Sequence, residues 1–331
     1  MVPRSGWRWA GLVGLALAAA PALAEPPPTC HGKDLSQIAG LAEARQRRAD
    51  DLVNADALFW RVDKASLPPS YLFGTIHSTD DEALAIARRA AMQIPEAKIV
   101  ATELGGPFDV MEKADIGATM LARALDRDHD TFADAPAPDR GAIEKLVAGR
   151  GYPTEFAHHL RLWFLAVLTA APACEAKREA LNLPEVDEFL AEQAKAAGIK
   201  VVALETPQEQ LDAIASVRPE VAAAMLSVAA RDPETNDDVY ATLLKLYRQS
   251  RPAEILAVGD AVGGMSDSER AAEDEFTGLL LTGRNAIMAE RFAPLLKDGG
   301  AFIAVGALHL TGKDGLVERL RRLGYTVTKV W

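Results

Sequence analysis

Tyr71-Leu72-Phe73-Gly74-Thr75-Ile76-His77 reads as a short buried strand that ends in Gly-x-x-His, with an acidic helix start, Ser78-Thr79-Asp80-Asp81-Glu82, directly after it. Near the other end of the chain, Ala301-Phe302-Ile303-Ala304-Val305-Gly306-Ala307-Leu308-His309 repeats the arrangement: an apolar run, Gly-x-x-His, then a polar helix start. A glycine at such a position lets backbone approach closely, and the histidine projects from the strand's carboxyl end, where ligands of open α/β sheets bind. Imidazole binds metals and exchanges protons near neutral pH. One such motif is weak, since a lone histidine at a strand end is more often structural. Two copies among only six histidines point to one shared site.

The pattern around these motifs predicts an α/β fold with a mixed, mostly parallel sheet flanked by helices. Residues 57–62 read as a strand that forms a hairpin with the Tyr71 strand across Pro68-Pro69. Residues 98–104 and 199–205 read as strands ending in Glu103 and Glu205, and Thr206-Pro207-Gln208-Glu209 is a capping box that opens the next helix. A long amphipathic helix is expected over 276–296, carrying Arg284 and Asn285. The last strand, 325–330, is expected beside the Phe302 strand through a right-handed crossover. Residues 108–183 show no convincing strand and read as a helical insertion capping the strand ends. His158-His159 within it is a poor chelate, because adjacent helical residues point about 100° apart.

The 331 residues are nearly half apolar, enough for a sizeable core. Residues 1–24 have a charged start (Arg4, Arg8), an apolar run and an Ala-Leu-Ala end, which predicts a secretory signal peptide. A linker and helix over 25–54 and one α/β domain over 55–331 would follow. Removing the leader takes the net charge from −11 to −13, which excludes a basic nucleic-acid-binding face. No later stretch is apolar enough to span a membrane. In an exported chain the pair Cys30 and Cys174 defaults to a disulfide, tying the N-terminal segment to the helical middle; two unrelated thiols are the alternative.

Four strand ends thus carry His77, Glu103, Glu205 and His309. If the strands are parallel neighbours, these residues meet on one rim. Two histidines and a glutamate suffice for a divalent ion with an open coordination position that activates water or polarises a carbonyl. A metal-free site, with Glu103 as general base and a histidine assisting, is the competing chemistry. Arg284 and Asn285 sit together on a helix, where the arginine either holds substrate or a catalytic carboxylate or is simply solvated or salt-bridged. Glu205 is equally readable as a structural hydrogen-bonding group, and Asp187 as a helix-start acid.

Leu72-Phe73-Gly74-Thr75-Ile76-His77, Ala101-Thr102-Glu103-Leu104, Val186-Asp187-Glu188-Phe189-Leu190, Leu204-Glu205-Thr206-Pro207-Gln208-Glu209-Gln210, Arg284-Asn285 and Val305-Gly306-Ala307-Leu308-His309 together resemble the TraB/PrgY/GumN family, to which the Wnt-cleaving Tiki proteases belong. The resemblance covers about residues 55–331. It implies an α/β core akin to erythromycin-esterase-like and haem-binding ChaN-like proteins. It also implies peptidase activity dependent on a divalent metal (Mn, Co or Zn), with His77, Glu103 and His309 essential, Arg284 assisting, and Gly74, Gly306, Glu205, Asn285 and Asp187 supporting. The expected substrate is a peptide or protein met in the bacterial periplasm. A non-catalytic periplasmic protein binding metal, haem or peptide on the same scaffold is the alternative.

Overall fold

A computed structural model describes residues 26–262 and 264–331; the signal-peptide expectation falls outside them. Among the described residues, six strands form one sheet: β1 (Phe59–Asp63), β2 (Ser70–Thr75), β3 (Ile99–Thr102), β4 (Val201–Ala203), β5 (Ala301–Gly306) and β6 (Thr326–Lys329), in the order β4-β3-β5-β2-β1-β6. β4, β3, β5 and β2 run parallel, so their carboxyl ends share a rim. β1 pairs antiparallel with β2, as the Pro-rich turn predicts. The result is the expected mixed, mostly parallel α/β sheet with helices around it.

β5 is the central strand, and its alternation shows why the sequence folds this way. Ala301, Ile303 and Val305 face one side with Leu72, Met288, Phe292 and Leu316. Phe302 and Ala304 face the other with Phe73, Leu84, Leu190 and Tyr247. Both faces are covered, which is why β2 and β5 read as continuous apolar runs rather than alternating ones.

β6 does not lie beside β5. Both sides of β5 are taken by β3 and β2, and β6 instead pairs antiparallel with β1 at the sheet edge, Val62 opposite Val327. Its burial pattern, with only Val327 enclosed, is that of an edge strand.

The helices that bear on the site are α1 (Asp81–Ala91), α2 (Ala173–Ala180), α3 (Val186–Ala196), α4 (Pro207–Ala215), α5 (Pro233–Arg248), α6 (Asp267–Thr277) and α7 (Arg284–Phe292). α4 begins with the expected capping box, Thr206 and Glu209 each serving the other's backbone N–H. The helix expected over 276–296 is not one α-helix: α6 passes into a π turn at Gly278–Gly283, α7 follows, and a 3₁₀ turn spans Ala293–Leu296. Such wide turns re-aim the residues that follow them, and here those are Arg284 and Asn285. Among the described residues before β1, only Leu41–Arg47 forms regular α-helix.

Residues 108–183 are helical, with Val110–Ala124, Arg140–Gly149 and Leu162–Ala170 as their longest helices. Their core, built on Phe132, Ile143, Leu160, Trp163 and Leu165, is completed by Leu211, Val221, Ala222 and Leu226 from beyond that region. Cys30 and Cys174 form a disulfide, as expected. Among the described residues, no single helix is long and apolar enough to cross a membrane.

Candidate active site at the strand rim

The two Gly-x-x-His motifs lie in adjacent parallel strands, Gly74 opposite Val305 and Thr75 opposite Gly306. A side chain on Gly74 would come within 2.9 Å of the Ala307 backbone, and one on Gly306 within 3.1 Å of Glu103 Oε1. The first glycine lets one motif pack on the other; the second lets a carboxylate reach the backbone. His309 does not end a strand, because the chain turns at Gly306 into a one-turn helix, Ala307–Leu310.

Glu103 follows β3 and is buried. Its Oε1 accepts the Gly306 N–H at 2.7 Å, and its Oε2 accepts Arg284 Nη2 at 2.6 Å and Gln210 Nε2 at 3.3 Å. Burial opposes ionisation, but at the low pH where Glu103 titrates the charges of protonated His309, of His77 and of Arg284, with the Gly306 N–H, outweigh it and hold the carboxyl below its ordinary range. Arg284 also grips Glu205: Nε lies 3.0 and 3.1 Å from its two oxygens and Nη2 lies 2.6 Å from Oε2. Glu205 therefore orients the guanidinium that faces Glu103. These contacts are of the structural, hydrogen-bonding kind.

His309 Nδ1 lies 2.7 Å from Asn285 Oδ1, while Asn285 Nδ2 donates to the Asp314 carbonyl at 3.3 Å. That orientation makes Asn285 Oδ1 the acceptor, so the proton of a neutral His309 sits on Nδ1 and the Nε2 lone pair is free. Nε2 is 3.6 Å from Glu103 Oε1. Burial, reinforced by Arg284 and His77 against the opposing pull of Glu103, lowers the His309 pKa to about 4. Arg284 is permanently charged, so Glu103 stays ionised while His309 is neutral.

His77 differs from its counterpart. Its side chain is 66% exposed, opening into the cleft, and Nδ1 lies 3.3 Å from Glu185 Oε2 and 3.7 Å from Asp187 Oδ2. The Glu185 hydrogen bond, helped by the charges of Asp187 and Glu103, raises its pKa. Asp187 Oδ1 accepts the Thr75 hydroxyl at 2.8 Å, and Oδ2 is buried without a hydrogen-bond partner. Burial, with Glu103 and Glu185, pushes Asp187 up to about 6 against the opposing His77 and Thr75. Burial acts against Glu185 ionisation too, but His77 and Lys113 hold its pKa below the ordinary range.

His77, Glu185 and Asp187 offer ligand atoms that all lie within 4.8 Å of one another. One imidazole and two carboxylates, one with an orphaned buried oxygen, fit a divalent cation of the zinc, manganese or cobalt type. Glu103 and His309 form a second, adjoining pair. The fold thus brings His77 and Asp187 together in one group and Glu103, Arg284, Asn285 and His309 in another, rather than gathering His77, Glu103 and His309 into the single ligand set expected from sequence. His77, Glu103, Glu185 and Asp187 all line a cavity of about 360 Å³, bordered by Leu104 to Phe108, Lys113, Glu179 and Gln210.

Sequence reasoning passed over Glu185, Thr75, Gln210 and Tyr247. Glu185 carried a signal: Glu185 and Asp187 flank the start of α3 two residues apart, an arrangement that can serve one ligand as well as a helix dipole. Tyr247, from α5, donates to the Gly74 carbonyl at 2.8 Å, and nothing local announces it.

No curated protein and no solved structure matches the chain significantly. The family comparison does match, over residues 58–329, and those residues hold the whole sheet rim and its side chains. The chain belongs to the TraB/PrgY/gumN family.

Proposed function

We propose that this protein is an exported, metal-dependent hydrolase acting on peptides in the periplasm. The observation that carries the reading is the cavity of about 360 Å³ in which the His77/Glu185/Asp187 cluster shares a wall with Glu103. His77, Glu185 and Asp187 would hold the cation, and His309 Nε2 beside Glu103 Oε1 offers further donors. A divalent cation there supplies Lewis acidity and an activated water. The chain's own residues do the rest. Glu103, ionised and fixed by Gly306 and Arg284, is placed to accept a proton at Oε1 or Oε2. Arg284, fixed in turn by Glu205, stabilises negative charge developing next to Glu103. The open cavity, with Leu104, Phe108 and Leu183 among its lining side chains, suits an extended chain better than an enclosed small molecule.

The test is metal content and peptide hydrolysis of the mature protein, compared with His77→Ala, Glu185→Ala, Asp187→Asn and Glu103→Gln. The first three should lose metal and cleavage together. Glu103→Gln should keep metal and lose most of the turnover, by about 10²- to 10⁴-fold for a general base. A wild-type protein that binds metal but cleaves no peptide in a broad library would instead be a binding protein, and one that binds no divalent metal would remove the reading altogether.

A further inference from the structure

The two residues after His77 are fully buried, and a helix from the distant helical region grips them. Arg178 of α2 donates from Nε to Thr79 Oγ1 at 2.8 Å and from Nη2 to the Thr79 carbonyl at 2.7 Å. Glu175, one turn earlier, accepts the Thr79 N–H on Oε1 at 2.5 Å and the Tyr240 hydroxyl on Oε2 at 2.8 Å. That hydroxyl lies 2.9 Å from the Ser78 hydroxyl. Ser78, Thr79, Glu175, Arg178 and Tyr240 are all buried, so each of these bonds is made away from water.

The N-terminal segment crosses α2 at the same two residues. Arg178 Nη1 donates to the Pro28 carbonyl at 3.3 Å, and Cys30 Sγ lies 4.0 Å from Glu175 Oε2. Cys30 is bonded to Cys174, the residue before Glu175. Further along, the segment is pinned to α5 by Lys33 N–H on Asp238 and Leu35 N–H on Thr242. α5 is the helix that carries Tyr240. α2 has eight residues, too few to hold its own shape without docking. Its position thus depends on the disulfide at its start and the grip at its centre.

We propose that Glu175 and Arg178 are positioning residues for His77, and that the Cys30–Cys174 disulfide locks their helix in place, so that opening it releases His77 from Glu185 and weakens divalent-metal binding in the cavity. Reduction transfers two electrons and two protons from a dithiol to the disulfide, giving two cysteine thiols and the oxidised, cyclic dithiol. The consequence for metal rests on the reading of the cavity as a metal site; the placement of His77 does not.

The experiment is nitrogen NMR of the histidine side chains in metal-free mature protein, with His77 identified through His77→Gln. Oxidised wild type should give one sharp, hydrogen-bonded His77 signal. Dithiol treatment, the Cys30→Ser/Cys174→Ser double variant and Glu175→Ala should each broaden it or move it towards free imidazole. Glu175→Gln should restore it, because the amide oxygen still accepts from Thr79 and its NH₂ can donate to the Tyr240 oxygen. The His309 signal, set by Asn285, should stay put in every case, and its movement together with His77 would mean general unfolding and count against the proposal. In parallel, Mn²⁺ and Zn²⁺ titrations should show affinity roughly tenfold or more weaker in the reduced protein, the usual range for lost supporting contacts. A His77 signal untouched by reduction and by Glu175→Ala overturns the proposal. A His77 that shifts on reduction in a protein that binds neither metal supports the positioning role and removes the metal-site reading instead.

Discussion

Arg284 Nη2 lies 2.6 Å from Glu103 Oε2, both side chains being nearly inaccessible to water. The same guanidinium is held from behind by Glu205. Removing one member of a buried, hydrogen-bonded ion pair leaves an uncompensated charge, which costs about 3–5 kcal/mol. Arg284→Ala should therefore lower the urea midpoint sharply, whereas the charge-matched Arg284→Lys should recover only part of it, since an ammonium cannot bridge two carboxylates as a planar fork does. Equal stability of the Lys variant and wild type would show that charge alone matters here.

Close backbone approach makes Gly74 irreplaceable. An added methyl group at that position would meet Ala307 Cα at 2.9 Å, so Gly74→Ala should destabilise by about 1–3 kcal/mol through overpacking and push the two motifs apart. Chemical denaturation measures the first effect. Loss of metal affinity out of proportion to the stability change measures the second.

Asp187 supplies a pH test. Its carboxyl rises from 3.8 to about 6 on folding, so the native state favours its protonated form. The stabilisation from that proton is fully present below pH 3.8 and is lost as pH rises through about 6. In chelator, wild type should lose stability relative to Asp187→Asn between pH 4 and 7. Divalent-metal affinity should change in the opposite sense and strengthen over that window, because binding needs the carboxylate. Parallel pH profiles for the two proteins in chelator would refute the assignment.

A cation that binds only the folded chain must raise its thermal midpoint. At a hundredfold excess over Kd the gain is about 2.7 kcal/mol. Differential scanning calorimetry with Mn²⁺ or Zn²⁺ should show this upward shift for wild type and Glu103→Gln. His77→Ala should abolish it, and a chelator should reverse it.

Most of the sheet was legible because its strands are buried on both faces and bounded by strong stop signals: Pro68-Pro69 before β2, Gly105-Gly106-Pro107 after β3, Gly299-Gly300 before β5. The disulfide followed from two cysteines in a chain read as exported. The place of β6 was not legible, since a four-residue edge strand with one buried side chain fits either side of a sheet by pattern alone. Nor was the π turn before Arg284, because a widened turn leaves the apolar spacing of its flanking helices nearly intact.

Local pattern and chain direction were enough to tell which side chains reach the rim, because they decide what lies at or just beyond the carboxyl end of each parallel strand. Glu103 and Glu205 were identifiable as carboxylates just beyond strand ends, and His77 and His309 through their shared Gly-x-x-His motif, although His309 sits in the one-turn helix that follows β5. The tertiary structure alone decided how they divide. His77 opens towards water beside Glu185 and Asp187, while His309 is buried against Asn285 and Glu103. Burial and the neighbouring charges set those opposite environments, and both come from segments far away in the chain: α3 packed below His77, and α7 turned inward behind His309.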